Sequence, residues 1–254
     1  MTDSLRTLKE DEIHLWWTFP ERILDPDILA RQLAVLSVAE QQKQQRFVFA
    51  RHRHQYLVGH ALVRDVLSHY FPVAPVMWKF NVNYYGKPFI SWPLDCQGLN
   101  FNLSHTEGRA VVAVAWQTDI GVDVEFSTSR GNDMGIAKSF FSPIEVAQLE
   151  RDPERFFDFW TLKEAYIKAR GMGLSIPLDS FAFLLSENDH PRIHFHDGCP
   201  DRPERWDFNL YRGEGYRSAI AVSARGRRAI HRKIVPLESD VRRLACDWAE
   251  IPPS

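Results

Sequence analysis

The feature that most constrains this chain is an order of patterns that occurs twice: helical periodicity followed by strand-like runs. Tyr56, Leu57, Ala61, Leu62 and Val66 recur at helical spacing and predict a long helix over Arg51 to Tyr70. Phe71-Pro72 ends it, because proline lacks the amide proton and clashes with the preceding turn. Shorter helices are expected over Asp25 to Leu36 and Val38 to Phe47. Strands follow over Trp78 to Tyr85 and Phe89 to Trp92, around Gly86-Lys87-Pro88. Leu99 to Leu103 and Arg109 to Trp116 read as a hairpin, and Ile120 to Phe126 as a further strand. The second round begins with helices over Met134 to Phe141 and Pro143 to Arg151, the latter with Ser142 as N-cap. A long helix from Pro153 to Arg170 stops at Gly171-Met172-Gly173. Strands are then expected over Phe181 to Leu185, Arg192 to His196, Trp206 to Arg212 and Tyr216 to Ser223. No identity recurs at a fixed period, which excludes a solenoid. The reading is an α+β chain of two similar-sized lobes, 1–118 and 119–237, with a seam near Gln117 to Asp119 and a peripheral tail, 238–254.

With 254 residues, eight Trp and seventeen Phe, the chain has enough apolar surface for a real core, which rules out disorder over most of its length. No uninterrupted apolar run reaches about 18 residues, so no membrane span is expected. Met1 to Glu12 has no apolar h-region and does not read as a signal peptide. Cys96, Cys199 and Cys246 lie far apart and form no CxxC pair, which argues against a zinc cage or a disulfide framework. A soluble, cytoplasmic protein is expected.

The formal net charge of −2 hides an asymmetry. Gln41 to Arg64 contains no acid but carries Lys43, Arg46, Arg51, Arg53 and Arg64, with His52, His54 and His60. Such a segment suits either an anionic partner or a solvated helix face. A second basic run, Arg225, Arg227, Arg228, Arg232 and Lys233, reads as a surface feature.

Three constellations could carry chemistry. In Gly121-Val122-Asp123-Val124-Glu125-Phe126, residues two apart on a strand share a face, so Asp123 and Glu125 point the same way. Two carboxylates about 7 Å apart repel unless they are solvated or share a cation, and oxygen-only ligands favour Mg²⁺, Mn²⁺ or Ca²⁺. In Trp160-Thr161-Leu162-Lys163-Glu164-Ala165-Tyr166-Ile167-Lys168, positions 160, 164 and 168 fall on one helical stripe, with Lys163 about 100° away. That stripe is either a surface ion pair or a phosphate-and-metal clamp on a packed helix. In Asn100-Phe101-Asn102-Leu103-Ser104-His105-Thr106, hydroxyl and imidazole groups could donate to phosphates or be plain loop polarity. Ser104 and His105 as a nucleophile pair is disfavoured, because neighbours on an extended chain face opposite ways. There is no GxxxxGKS loop and no GxGxxG turn, so neither a P-loop nor a Rossmann site is supported.

Taken in order, Arg51, Gly86-Lys87-Pro88, Asn102-Leu103-Ser104-His105, Gly121-Val122-Asp123-Val124-Glu125 and Trp160-x-x-Lys163-Glu164-Ala165-x-x-Lys168 resemble the 4′-phosphopantetheinyl transferases. The likeness is to the long, surfactin-synthetase-activating type, covers about Ser37 to Ser223, and includes Gly171-x-Gly173-Leu174.

The resemblance implies two α+β lobes related by pseudo-twofold symmetry, an active site in the cleft between them, and a monomer. It implies transfer of the phosphopantetheine arm of coenzyme A onto a serine of an apo acyl or peptidyl carrier protein, releasing adenosine 3′,5′-bisphosphate. Asp123, Glu125 and Glu164 would hold Mg²⁺, or Mn²⁺ in its place, with substrate oxygens completing the shell. Glu164 would be the general base, while Lys168 and Lys163 would neutralise the phosphoryl oxygens. Arg51, Ser104 and His105 would meet coenzyme A phosphates, with Lys87 at the adenine-ribose end. The chain departs from the family at Ala39-Glu40, where relatives often carry a lysine. Phe140 and Phe141 are candidates for carrier contact or for the core. Two rival readings stand beside this one. A nucleic-acid module would have Asp123, Glu125 and Glu164 repelling its phosphates. A non-catalytic coenzyme A-binding or carrier-docking protein would not need those acids.

Overall fold

A computed structural model describes residues 5–128, 131, 133–185, 190–196 and 198–238. Cys246 and the tail beyond residue 238 lie outside the described residues. The described chain is α+β and groups into two compact units, 5–81 with 89–117 and 228–238, and 82–88 with 118–227.

In the first unit the chain runs through β1 (Glu12–Thr18), α1 (Pro26–Val35), α2 (Val38–Gln45) and α3 (Ala50–Ser68). A hairpin of β2 (Lys79–Val82) and β3 (Pro88–Trp92) follows, then β4 (Leu99–Thr106) and β5 (Arg109–Trp116). Local chemistry sets the helix starts. Asp25 caps α1 by accepting from the amides of Asp27 and Ile28, and Ser37 with Glu40 forms a capping box at α2. The apolar stripe of α3 packs with β4 and β5 around Trp16, Leu62, Val66, Trp78, Phe101, Val112 and Val114.

Two strands of this unit were not foreseen. β1 is buried at all seven positions, and its polar-apolar alternation lasts only from Glu12 to Leu15 before Trp16-Trp17 interrupts it. Its partner β11 (Arg228–Lys233) lies in the basic run read as a surface feature, yet it runs parallel to β1 with Glu12 opposite Arg228 and Leu15 opposite His231. The sheet order is β11-β1-β5-β4. Residues 228–238 therefore belong with the first unit, whereas the sequence reading kept everything to residue 237 in the second lobe.

The second unit holds β6 (Ile120–Phe126), α4 (Asp133–Phe140), α5 (Pro143–Arg151), α6 (Phe156–Arg170), β7 (Phe181–Leu184), β8 (Arg192–Phe195), β9 (Asp207–Gly213) and β10 (Tyr216–Val222). Its main sheet has the order β6-β10-β9, and β7 pairs with β8 separately. α6 is buried on nearly every side, the mark of a helix enclosed by its own domain. Gly171 ends it in the left-handed conformation, at φ 64°. Around it an aromatic core interlocks edge to face, as between Tyr166 and Trp206 at 5.1 Å and Phe183 and Phe208 at 4.9 Å. Gly121 sets how closely α6 approaches β6. A Cβ there would overlap the carbonyl of Ala165 and the amide of Ala169, so no side chain fits.

Candidate active site

β6 and α6 bring the distant acids of the second unit together. On β6, the two-residue period gives Asp123 and Glu125 one face, and Val122 and Val124 pack opposite. Asp123 is buried, which removes the alternative of two ordinary solvent-facing acids. Its Oδ1 accepts a 2.5 Å hydrogen bond from Lys168 Nζ, an ion pair reaching from α6 to β6. Its backbone carbonyl accepts from Ser218 on the neighbouring β10 at 2.7 Å, which fixes the strand at that position.

Glu164, one turn before Lys168, is half-buried beside these groups. Burial pushes its carboxyl up to about 7; the charges of Asp123 and Glu125 push the same way, and Lys168 pulls against them. Glu164 thus feels both of the other carboxylates, with the Lys168 ammonium beside them. Among the described residues no three acidic, imidazole or thiol groups converge into a ready-made metal cage.

Lys163 is not in this group. Its Nζ is fully buried, 2.7 Å from Glu145 Oε2, and donates to the carbonyls of Leu178 at 2.6 Å and Phe181 at 2.9 Å. An ammonium has three donors, and three acceptors take them. The expectation that Lys163 neutralises phosphate oxygens therefore fails, because no donor and no solvent path remain. Glu145 is equally enclosed: it completes the capping box of α5 with Ser142 and accepts from the amide of Phe183. The pair ties α5, β7 and α6 together.

Lys87, expected at the adenine-ribose end, is also engaged within the protein. Its ammonium is half-buried and donates to the carbonyls of Ala169 at 2.8 Å and Ile120 at 3.2 Å, and burial pulls it down to about 8. Asn83 was missed. Its Oδ1 accepts the amides of Tyr85 and Lys87, and its Nδ2 donates to Gly171 O at 2.6 Å. Together Asn83 and Lys87 cap the carbonyl end of α6. An Asn four residues before Lys in a glycine turn was the available signal.

In the first unit, Ser104 is buried and His105 exposed, on alternate faces of β4. Arg51 is exposed in the first turn of α3, its guanidinium 5.8 Å from the Phe49 ring. The basic stretch does not form one cationic face. Arg64 is buried and pairs with Glu40 at 2.6 Å and with Trp78 O at 2.8 Å, while Arg53 donates to the carbonyls of Phe47 and Val48. Lys43, Arg46 and Arg51 stay exposed. Glu40, where the sequence departs from the family, also accepts from His60 at 3.1 Å. Burial pushes the Glu40 carboxyl up, but His60, Ser37 and Arg64 together bring it down to about 2. Phe140 is exposed, and Phe141 is in the core, stacked on Phe156 at 5.6 Å.

Residues 119–221 match the family model of the 4′-phosphopantetheinyl transferase superfamily, and residues 25–118 match that of the 4′-phosphopantetheinyl transferase N-terminal region. A 4′-phosphopantetheinyl transferase of Bacillus subtilis is 33% identical over 189 residues, 72% of this chain and 82% of the relative. The transferase HetI of Nostoc is 38% identical over 195 residues, 74% and 80% of the two chains. The transferase Sfp of Bacillus subtilis is 31% identical over 215 residues, 82% and 92%. A solved holo-[acyl-carrier-protein] synthase of Helicobacter pylori, in complex with coenzyme A, covers 41% of this chain and 99% of its own at 20% identity and a TM-score of 0.34. With both halves matched and relatives this similar over most of their length, the chain belongs to the 4′-phosphopantetheinyl transferase superfamily and is an enzyme of that kind.

Proposed function

We propose that the enzyme moves the phosphopantetheine arm of coenzyme A onto a serine of an apo acyl or peptidyl carrier protein, in a Mg²⁺-dependent reaction that releases adenosine 3′,5′-bisphosphate. The observation that carries this reading is the meeting of Asp123 and Lys168 beside Glu164, whose carboxyl is pushed up by burial and then by its acidic neighbours.

The donor set fits a hard divalent cation. It is made of oxygens alone and is crowded with like charge, so a dication would relieve the repulsion that raises Glu164. Asp123, Glu125 and Glu164 are the residues that would hold it. Such an ion, when bound, supplies charge stabilisation to the pyrophosphate and its leaving group. Few protein ligands suffice for Mg²⁺, which takes waters and substrate oxygens for the rest of its shell.

The serine oxygen of the carrier forms the new P–O bond at the β-phosphorus, and the bond from that phosphorus to the bisphosphate breaks. Glu164 is the acceptor we assign to the serine proton, and because a bound dication would bring its carboxyl down from about 7, it would take that proton as an ionised carboxylate. Lys168, held against Asp123 and partly exposed, is the cation we assign to the non-bridging oxygens. Arg51 and His105, both exposed, are the donors we assign to the coenzyme A phosphates, whereas Ser104 is buried on the other face of β4; Lys43 and Arg46 are further exposed cations for an acidic partner.

The test is incubation with coenzyme A, Mg²⁺ and a panel of apo carriers, read by mass spectrometry. One phosphopantetheine mass should appear on at least one carrier, and should be lost with EDTA or with Asp123→Ala. Undiminished transfer in EDTA would remove the metal from the reading. Undiminished transfer by Asp123→Ala would remove the site.

A further inference from the structure

The two edges of the sheet in the second unit are unlike. The carboxylates ride on β6, while β9 is the opposite edge, two strand spacings or about 10 Å away. Beside the start of β9 a cavity of about 620 Å³ lies among Pro191 to Ile193 of the β8 strand region, the turn from Pro203 to Trp206, and Arg225-Gly226 after β10. The apolar part of its wall is Ile193, Trp206 and Phe208, all anchored in the core.

Its rim is cationic. Arg192 and Arg225 are exposed, and among the described residues neither makes an ion pair. The hydrogen bond of Arg225 to Pro203 O is long, at 3.5 Å. Asp207 also lines the cavity, but its oxygens accept the amides of Phe208 and Gly226, both at 3.1 Å. The carboxylate is thereby turned to the backbone that shapes the cavity rather than to the arginines.

We propose that this cavity binds a small organic anion, independently of the transferase site. Its volume falls in the range of small-molecule pockets, about 300–1,000 Å³. Two guanidinium groups present donors matched to a carboxylate, sulfonate or phosphate. Ile193, Trp206 and Phe208 back the cavity from the core, so its wall between the arginines is apolar. A neutral guest would desolvate the arginines without pairing them, and a cation would be repelled. The catalytic carboxylates are on the other edge of the sheet, so an occupant here does not meet them.

The probe is 8-anilinonaphthalene-1-sulfonate, titrated by fluorescence against the full chain with and without coenzyme A. One site is expected, unchanged by coenzyme A. Arg192→Glu combined with Arg225→Glu should weaken it at least about tenfold while leaving carrier modification at its normal rate, since two charge-assisted contacts are reversed. The uncharged analogue N-phenyl-1-naphthylamine should bind the native protein at least about tenfold more weakly, a comparison that does not depend on the variant's folding. Equal binding of the two probes would overturn the proposal, as would an unchanged isotherm for the double variant.

Discussion

Lys163 and Lys168 lie on the same helix, five residues apart, and end in opposite circumstances. Five residues turn an α-helix by about 500°, which leaves the two side chains about 140° apart. Lys163 points into the core and is closed off by Glu145 and two carbonyls. Lys168 points to β6, where it remains 28% exposed against Asp123. The first lysine holds the helix; the second stands where a substrate can reach it. Residue type and even motif membership are the same, so the surroundings assign the role.

Breaking the enclosed pair should give the largest effect on stability. Glu145→Ala leaves a buried ammonium without its counter-charge and should cost about 3–5 kcal/mol, read as a large fall in Tm. Lys163→Met should cost a comparable amount, and adding Glu145→Gln should restore part of it in a double-mutant cycle. If Lys163→Met were stable but had lost affinity for coenzyme A, the contrast between the two lysines would be reversed.

Breaking the open pair should act on the reaction instead. Asp123→Ala should lower kcat by about 10²–10³, as expected when one charged group of an electrostatic site is removed, while Tm moves little. In the metal-free protein, Asp123→Asn should also bring the Glu164 carboxyl down from about 7, because a like charge is gone. Carboxyl ¹³C NMR against pH reads that shift.

A smaller effect is expected at Asp65, on α3 and out of reach of this comparison. Burial raises its carboxyl from 3.8 to about 6, against a hydrogen bond from the amide of Leu237. An acid raised on folding favours the folded state when protonated, so its ionisation removes stability as pH climbs from about 4 through about 6. Asp65→Asn should therefore gain about 1–2 kcal/mol at pH 8 and nothing at pH 3.5, in paired thermal melts.

The smallest effect repeats the lesson between neighbours. Phe140 is 55% exposed and Phe141 is 4% exposed. Phe140→Ser should change stability by no more than about 0.5 kcal/mol. Phe141→Ala should cost about 3–5 kcal/mol. Equal costs in urea melts would show that the exposed ring is not free of the core.

Much of the fold was legible because it is encoded locally. β6 and α5 have the bounds read for them, and the Ser142 cap and Gly171 stop are where the residue types required them. The pairing of β1 with β11 was not legible, since a parallel contact between residues more than two hundred apart leaves no short-range trace. Of the candidate site, the common face of Asp123 and Glu125 could be read from the period of a strand. The burial of Lys163 could not, because apolar and charged residues are spread all round α6 and its periodicity does not say which side meets the core.

The same limit applies to Glu40. Its place in a capping box is readable from Ser37 three residues before it, but its bonds to His60 and Arg64 depend on how α2 lies against α3. By itself, the order of residues determined the elements, their caps and the types of group available for chemistry, because these follow from backbone geometry over a few residues. Only the tertiary structure decided which charges are consumed inside and which stand together at β6. That choice depends on burial and on partners far along the chain, and both are properties of packing.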